Sequence, residues 1–282
     1  MNSPARHHYI PRMLLKRFVN SQNRLFAYNK SDQSSNIIEA TPENLFVKKN
    51  FYNFVKEDGE VISDLEEAFS EIESKADPII DTIVSDTRCN RPLSIPDRDR
   101  EVLVFFFYLQ QKRTPDFVSQ SVRHIDYDQY FRNLIEEFKR DVRPLNRSEK
   151  QLVADPDFQK RIQRNSIVQS IARLNPRILN RLNEMTLFAA KPQGDRKSFV
   201  IGGNPFVRFG LPESSHLDHP DTKILLPIAS DVSLVASSEE ISGPPALLPD
   251  GQVRLINMKI LKQSRMIAGR SRQLITSLSN PR

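Results

Sequence analysis

Between Ile62 and Ile83 the sequence reads ISDLEEAFSEIESKADPIIDTI, and this stretch decides the class of fold. Its apolar residues return every three or four positions, at Ile62, Leu65, Phe69, Ile72, Ala76, Ile79 and Ile83. This spacing predicts a long helix with one apolar stripe and acidic residues on the opposite side. Pro78 is expected to kink or split that helix, because proline cannot donate the backbone hydrogen bond.

Further helical patterns fill the middle of the chain, about residues 57–190. After the first helix they are expected at about 94–112, 117–142, 158–174 and 176–188. Ser94 ahead of Pro96 is typical of a helix start. Thr114-Pro115 is typical of a helix end, because the residue before proline avoids the helical conformation.

Short extended stretches flank this helical middle. A strand is expected at Leu25–Asn29 and an extended piece at Leu45–Phe54. A strand-rich part, about 191–240, should hold strands at 199–201, 207–209, 223–228 and 232–236, and a basic helix at about 256–278 should end the chain. We therefore expect a mainly helical α+β fold, a single domain over 1–282 whose strands form one small sheet. A helical lobe with a separate small β lobe is the alternative.

Composition limits the class of protein. The chain has 282 residues, 38% of them hydrophobic, and a mean hydropathy of −0.49. Its longest apolar run, Val102 to Leu109, is far shorter than the roughly 20 residues that span a bilayer. No secretory signal is visible, and the single cysteine, Cys89, excludes an internal disulfide and a cysteine-based zinc site. We expect a soluble cytoplasmic protein with no membrane partner.

Charge is unevenly distributed. Residues 57–101 hold 14 acidic and 5 basic residues, whereas residues 250–282 hold 1 acidic and 7 basic. The basic end suits contact with nucleic acid, and the candidate residues at helical spacing are Lys259, Lys262, Arg265, Arg270 and Arg272. Packing of the acidic segment on the basic segments is the alternative.

The segment from His7 to Phe18, HHYIPRMLLKRF, is the most informative motif. It resembles the signature of an uncharacterised family of mostly bacterial proteins that share a His-x-x-Pro motif, domain of unknown function 4238. Further matching pieces follow in order: Leu25–Lys30, Asn50-Phe51-Tyr52, Leu65–Ile80, Gln110–Pro115, Asn204-Pro205, Leu226-Pro227 and Asn257. The family has no activity that the resemblance could carry over. Where it usually has Ser-Asp before Asn-Pro, this chain has Gly202-Gly203, which puts catalysis in question if that aspartate is needed.

His7 and His8 should point to opposite faces of an extended chain. Histidine titrates near neutral pH, so either ring is a candidate general acid or base. The structural alternative is that His8 caps a buried polar group while His7 is exposed to solvent.

Gln110 and Arg113 lie three residues apart, on one face of an apolar helix. Arginine suits a two-pronged grip on phosphate or carboxylate, so this pair is a candidate anion clamp that faces the histidines. An internal salt bridge from Arg113 to Glu73 is the alternative. Further candidates for substrate contact are Arg12, Tyr52 and Asn204, although an aromatic residue such as Tyr52 is more often core.

Known cofactor and metal motifs are mostly missing. The sequence has no glycine-rich phosphate loop, dinucleotide fingerprint or His-Glu-x-x-His, so no nucleotide cofactor is expected. His216, Asp218 and His219 have metal-like spacing in a polar loop, but nothing holds them on one face, and no metal ligand is assigned. A divalent metal cofactor stays an open alternative.

These patterns lead to a hypothesis of a small nuclease in bacterial defence or toxicity. His8 or His7 would be the general acid or base, Arg113 would bind the scissile phosphate, and the basic C-terminal helix would hold the strand. Gln110 and Asn204 would position the phosphate. The alternatives are a non-catalytic module that binds nucleic acid or protein, and a hydrolase of a small anionic substrate. The hypothesis requires that His8 and Arg113 line one pocket.

Overall fold

The architecture comes from a computed structural model that describes residues 6–32, 36–121, 123, 126–209, 219 and 221–280. The helices are α1 (Arg12–Leu15), α2 (Asp64–Arg88), α3 (Asp97–Lys112), α4 (Pro115–Ser121), α5 (Tyr127–Asp141), α6 (Arg147–Ala154), α7 (Pro156–Ala172), α8 (Pro176–Glu184), α9 (Asp250–Gln263) and α10 (Arg272–Ser279). The strands are β1 (Arg6–His8), β2 (Leu25–Asn29), β3 (Ile37–Ala40), β4 (Val47–Lys49), β5 (Phe54–Val55), β6 (Val61–Ile62), β7 (Thr186–Pro192), β8 (Ile201–Gly202), β9 (Val207–Phe209), β10 (Lys223–Ala229), β11 (Val232–Ser237), β12 (Ala246–Leu248) and β13 (Met266–Gly269).

The strands form several sheets. A five-stranded mixed sheet has the order β12-β7-β11-β10-β9, and a four-stranded antiparallel sheet has the order β3-β2-β13-β8. Two small pairs, β1-β4 and β5-β6, complete the set. The expected fold with one small sheet is therefore wrong: strands make up about a fifth of the chain and lie along its whole length. N-terminal and C-terminal strands do share a sheet, since β2 pairs with β13.

The long helix predicted from the apolar stripe is α2, and it packs against α3. Its buried residues are Phe69, Ala76, Ile80, Ile83, Val84 and Thr87. Pro78 does not split it: the helix continues on both sides of the proline. The acidic and hydroxyl side chains on another face of α2 lie outside the core, beside the N-terminal segment.

Two boundaries of the expected helices are corrected by the sheets. The helix expected at 176–188 ends at Glu184, and β7 follows at once because Thr186–Ala190 pairs with β11. The basic helix expected at 256–278 is instead α9, then β13, then α10. Its middle is extended because Met266–Gly269 fills the gap between β2 and β8.

The extended piece expected at Leu45–Phe54 is also shorter than predicted. Only Val47–Lys49 and the start of β5 are strand. Phe46 and Asn50, which flank β4, have φ values of 55° and 53°, so the chain turns sharply on both sides of it. These two turns let β4 pair with β1 and bring Tyr52 beneath the histidines.

A single hydrophobic cluster runs through the fold, with buried members from Ile10 to Leu278. It includes residues of α1, α2, α3, α9 and both large sheets. The expectation of one domain stays a prediction.

Candidate functional site

The two adjacent histidines lie on β1 and face opposite sides of it. In the register of β1 and β4, His7 is opposite Lys48 and His8 is opposite Val47. His7 is completely buried, whereas His8 is half-buried. The alternation expected of an extended chain is thus present, but the structural alternative had the two roles reversed: the buried ring is His7, not His8.

His7 belongs to the interior. Its Nδ1 accepts a hydrogen bond from the backbone N–H of Tyr52 at 3.0 Å. Its ring lies parallel to the Tyr52 ring, with 5.3 Å between the centroids and 4° between the planes. Tyr52 is itself completely buried. The sequence candidates His7 and Tyr52 are therefore core partners of each other.

Arg113 ties three segments together. Its Nη1 lies 2.6 Å from Glu73 Oε1, and its Nη2 donates to the carbonyl oxygen of His8 at 2.6 Å. Its own carbonyl accepts from the Tyr52 hydroxyl at 2.9 Å. The side chain is 3% exposed, and the guanidinium carbon lies 4.4 Å from the centre of the Phe69 ring. The salt bridge to Glu73, given above as the alternative to an anion clamp, is confirmed.

Gln110 holds the next peptide group of the motif. Its Nε2 donates to the carbonyl oxygen of Tyr9 at 3.0 Å, and the side chain is fully buried. Tyr9 in turn donates its N–H to Phe46 at 3.0 Å. The Gln110–Pro115 motif and the His-x-x-Pro motif are therefore direct partners: one turn of α3 fixes two successive carbonyls of the other.

On the opposite side of β1, His8 faces a pocket of about 550 Å³. One wall is the N-terminal segment, with His8, Arg12, Met13, Lys16 and Arg17, and another is a polar face of α2, with Glu66, Ser70, Glu73, Ser74, Asp77 and Asp81. Arg113 closes the end. The expectation that His8 and Arg113 line one pocket is confirmed.

Buried polar atoms without a hydrogen-bond partner are concentrated around this pocket. Four lining residues contribute one each: His8 Nε2, Arg17 Nε, Glu66 Oε2 and Arg113 Nε. Most buried polar atoms in native proteins are paired with protein or ordered water, so these four atoms can accept or donate hydrogen bonds to water or to a polar ligand in the pocket. The pocket is thus suited to a polar ligand.

Besides Arg113, two titratable side chains of the pocket have shifted pKa values. Burial lowers the pKa of His8 and the charge of Arg12 lowers it further, whereas hydrogen bonds with the backbone of Glu43 and Pro42 oppose this shift. Burial raises the pKa of Glu66; the nearby Glu73 adds to this and Arg113 opposes it. Both shifts favour the uncharged form, which leaves a neutral imidazole and a carboxyl group that holds its proton more tightly than usual.

The cations of the N-terminal segment differ in their availability. Arg17 is bound within the wall, because its Nη2 lies 2.7 Å from Asp77 Oδ1 and 2.6 Å from Asp81 Oδ1. Arg12 and Lys16 are exposed at the rim, and Arg12 lies 3.7 Å from Glu43. Arg12 and Lys16 therefore place positive charge at the mouth of the pocket, whereas the charge of Arg17 is paired with two carboxylates of α2.

Asn204 lies outside this pocket. Its N–H donates to Ser264 Oγ at 2.9 Å, and its carbonyl accepts from Gln263 Nε2 at 2.8 Å. The neighbouring Gly203 is closely covered: a Cβ there would lie 2.1 Å from Asp116 Oδ2. A carboxylate therefore occupies the space beside Gly203, although it comes from α4.

The C-terminal cations predicted to share one helix are separated by the strand. Lys259 and Lys262 lie on α9, and Arg270 is exposed between β13 and α10. The N–H of Arg265 donates to Asp116 Oδ2 at 2.9 Å, with its Nε 3.6 Å from Oδ1. Arg272, at the start of α10, donates to the Ile37 carbonyl at 3.0 Å. These cations therefore cannot contact a nucleic acid as one continuous basic helix.

The described part of the chain shows neither a metal-binding cluster nor a membrane-spanning helix. Within the described ranges, no group of three His, Cys, Asp or Glu side chains lies close enough together to hold a metal ion. His216 and Asp218 of the candidate loop lie outside those ranges. In the same described part of the chain, none of the helices combines the length and apolar character needed to cross a bilayer.

Sequence reasoning missed the α2 side of the pocket. Glu66, Ser70, Glu73, Ser74, Asp77 and Asp81 follow one another at helical spacing. They form a polar stripe, which the apolar pattern of α2 predicts to lie on the solvated side of an acidic helix. Its signal was the run of hydroxyl and carboxyl residues at i, i+4, i+7 and i+8, next to a motif rich in basic residues.

Comparison with known proteins gives a family but no function. No curated protein and no solved structure gives a significant match to the chain. A family model described as "Protein of unknown function (DUF4238)" matches residues 6–277, nearly the whole chain. The matched region contains every residue of the pocket and of the network beneath it. The chain therefore belongs to this family.

Proposed function

We propose that the protein is a hydrolase that acts on a small anionic substrate by acid–base catalysis, with His8 and Glu66 as the reacting pair. This proposal rests on one observation. His8 and Glu66 line the same pocket, and each has a buried atom without a hydrogen-bond partner in the protein, Nε2 of His8 and Oε2 of Glu66. Pockets with convergent polar groups and shifted pKa values are the usual places for catalysis.

The direction of the two pKa shifts supports a division of roles. A neutral His8 can accept a proton from water as that water attacks the substrate. A protonated Glu66 can give its proton to the leaving group. Because the His8 pKa is lowered and the Glu66 pKa is raised, a larger share of molecules has both groups in the required state at mildly acidic pH.

Size and charge favour a small substrate. A volume of about 550 Å³ lies within the range of roughly 300–1,000 Å³ usual for small-molecule pockets. Arg12 and Lys16 at the rim can attract an anionic group, and Arg17 pairs with the exposed carboxylates of Asp77 and Asp81. The nuclease hypothesis needed Arg113 as the phosphate ligand, but that guanidinium already binds Glu73 and the His8 carbonyl.

A non-catalytic accessory module is the second candidate. It is favoured by the interior role of Arg113 and by Gly203 at the position where the family usually has an aspartate. Under this proposal the pocket would bind a ligand without changing it. The two candidates differ in one result, which is whether the wild-type protein turns over any substrate.

The decisive experiment is a hydrolysis assay with p-nitrophenyl acetate, p-nitrophenyl phosphate, bis(p-nitrophenyl) phosphate, RNA and DNA. We expect His8→Ala and Glu66→Gln each to lower kcat by about 10²–10⁴-fold, the usual worth of general acid–base catalysis. Glu67→Gln and His219→Ala are matched controls outside the pocket and should keep the wild-type rate. The wild-type pH optimum should lie between the ordinary pKa values of a glutamate and a histidine.

The outcomes of this assay distinguish the proposals. Cleavage of RNA or DNA that depends on His8 would restore the nuclease hypothesis. A wild-type protein without activity on all five substrates, together with tight binding of a small anion, would favour the accessory module. Activity that survives His8→Ala would contradict the assigned base.

A further inference from the structure

A second pocket, which we call the apolar groove, lies between α2, α3, α7 and the β5–β6 hairpin. Its volume is about 420 Å³, and it shares no lining residue with the His8 pocket. The polar members of its described lining are Asp64 and Gln169. Aromatic and aliphatic side chains from all four elements form the rest of its wall, including Phe54, Leu65, Phe105 and Val168.

The size of the apolar groove suits a small molecule. Its wall is partly open to solvent, since Leu174 is 44% exposed and Phe54, Leu65 and Phe105 are half-buried. A volume of about 420 Å³ lies within the range of roughly 300–1,000 Å³ usual for small-molecule pockets. A helix about 10–12 Å in diameter would fill this volume within about one turn. A slender ligand therefore fits the groove better than a helix of a protein partner.

Two cations lie at one end of the apolar groove. Lys112 follows Leu109 by three positions, so it extends the face of α3 that lines the groove. Arg173 stands between Ala172 and Leu174, which both line the groove. The Nζ of Lys112 donates to the Arg173 carbonyl, and this contact brings the two residues together.

Neither of these cations is paired with an acid in the described part of the chain. The printed contacts of Lys112 Nζ are the Arg173 carbonyl and the Tyr108 ring, whose centre is 5.3 Å away, and both groups are uncharged. The Arg173 side chain is exposed. Burial lowers the pKa of Lys112 and the charge of Arg173 lowers it further, as expected of two neighbouring cations. An anion bound at this end would be attracted by both.

The acidic member of the lining, Asp64, lies beside the β5–β6 hairpin. It begins α2 two residues after β6 ends. The hairpin is held by α7, because the Asn165 side chain accepts from the Val55 N–H at 3.0 Å and donates to the Val55 carbonyl at 2.8 Å. Ala172, next to Arg173, lies seven residues further along α7, about 10 Å from Asn165. Apolar wall therefore separates the hairpin from the end that carries the cations.

We propose that the apolar groove binds an aliphatic chain that ends in a carboxylate, as in a free fatty acid. The chain would lie on the apolar wall, and the carboxylate would accept charge-assisted hydrogen bonds from Lys112 and Arg173. Most of the affinity comes from the chain, because burial of each methylene group tightens binding by about fourfold. This proposal does not depend on hydrolysis in the His8 pocket.

The test is isothermal titration calorimetry of the full chain with octanoate, decanoate and dodecanoate below their micelle concentrations. We expect each two-carbon step to tighten binding by up to about sixteenfold, from about fourfold per methylene group. Decanol has the same chain length as decanoate but no charge, so it should bind more weakly than decanoate.

A double variant, Lys112→Gln with Arg173→Gln, tests the recognition of the carboxylate. It should weaken binding of decanoate by about tenfold or more, the usual worth of hydrogen bonds to a charged group, and leave binding of decanol unchanged. The matched control is Arg147→Gln with Lys150→Gln, which removes one arginine and one lysine from the exposed surface of α6. This control should keep the wild-type affinity for both ligands.

Ala68→Phe tests the apolar wall, because Ala68 is exposed and lines the groove from α2. The added ring should fill the groove and weaken decanoate and decanol alike. Thermal melting checks that all variants are folded.

Several results would overturn the proposal. They are no binding of any of the three acids, an affinity that does not depend on chain length, or an equal loss in the α6 control. Decanol or decyltrimethylammonium that binds as tightly as decanoate would reject a carboxylate as the head group. Binding to phosphatidylglycerol vesicles without binding of the free acids would reject a free fatty acid in favour of a membrane surface.

Discussion

His7 and His8 are neighbours in the chain, but their surroundings differ in almost every respect. His7 is buried against Tyr52 and accepts its amide hydrogen bond. His8 faces a polar pocket, and its Nε2 is among the buried atoms without a partner. One side of β1 is thus packed in the interior through a ring stack and a backbone hydrogen bond, whereas the other side borders an open pocket. Identical side chains one position apart can therefore serve the fold and a site.

The contacts of β1 show what the residues around the Gln110–Pro115 motif stabilise. Gln110, Arg113 and Tyr52 all bind the backbone or the His7 side of β1. None of these contacts uses the His8 ring, and their combined effect is to fix the peptide that carries it. We infer that a large part of the motif holds one histidine in position, as a preorganised site requires.

The largest expected effect is on stability, at Arg113. Arg113→Ala leaves Glu73 and the His8 carbonyl without their buried partner, which should lower the free energy of unfolding by about 3–5 kcal/mol. Arg88→Ala is the control, because Arg88 makes a two-pronged pair with Asp231 at 2.8 and 2.9 Å on an exposed surface. That change should cost at most about 1 kcal/mol. Urea denaturation measures both.

Equal losses in the two arginine variants would contradict the interior role of Arg113. If Arg113→Ala does not fold, Arg113→Lys keeps the charge but loses the two-pronged geometry. It should still be less stable than the Arg88 variant.

The next largest effect is the difference in stability between variants of the two histidines. His7→Ala leaves the Tyr52 N–H unpaired in the core, which costs about 1–3 kcal/mol before any cavity is counted. His8→Ala removes a half-buried ring whose Nε2 has no partner, so the free energy of unfolding should change by less than about 1 kcal/mol. Thermal melting of the two variants side by side checks this. A more destabilised His8 variant would show that His8, too, is structural.

Local patterns were enough to predict those parts of the fold whose signal lies within one element. The stripe on α2 predicted that helix, and the runs at β2, β9, β10 and β11 predicted strands. The predictions are wrong where pairing with a distant strand determines the structure. Residues 186–188 continue a helical pattern but pair with β11, and 266–269 lie in a basic stretch but pair with β2, more than 230 residues away. Such pairing overrides local propensity.

Only part of the candidate site could likewise be predicted from the sequence. His8 and Arg113 could be brought together from their motifs, because chemically complementary motifs in distant segments suggest contact. Glu66 could not, since on an acidic helix it resembles any solvated carboxylate. Its raised pKa depends on burial, and that is set by docking of the N-terminal segment on α2.

The smallest expected effect concerns Glu66 and depends on pH. Because burial raises its pKa in the folded protein, the charged form is less favourable there than in the unfolded chain. The stability that the carboxyl group contributes is fully present below its unfolded pKa and is lost as pH rises through its folded pKa. Glu66→Gln keeps the shape and removes this titration. The variant should therefore be more stable than wild type at pH 7, with the gain shrinking as pH falls towards 4.

Glu67→Gln is the matched control, since Glu67 is the next residue of α2 and is exposed. His8 also titrates in this range, but it is present in both variants and in wild type, so its contribution cancels in the differences. Urea midpoints at pH 4, 5, 6 and 7 for the three proteins give the result. A Glu66 variant that is less stable than wild type at pH 7 would mean that the ionised carboxylate is stabilised by Arg113. Glu66 would then be a structural anion, and the pocket side of β1 would be as fully satisfied as the interior side.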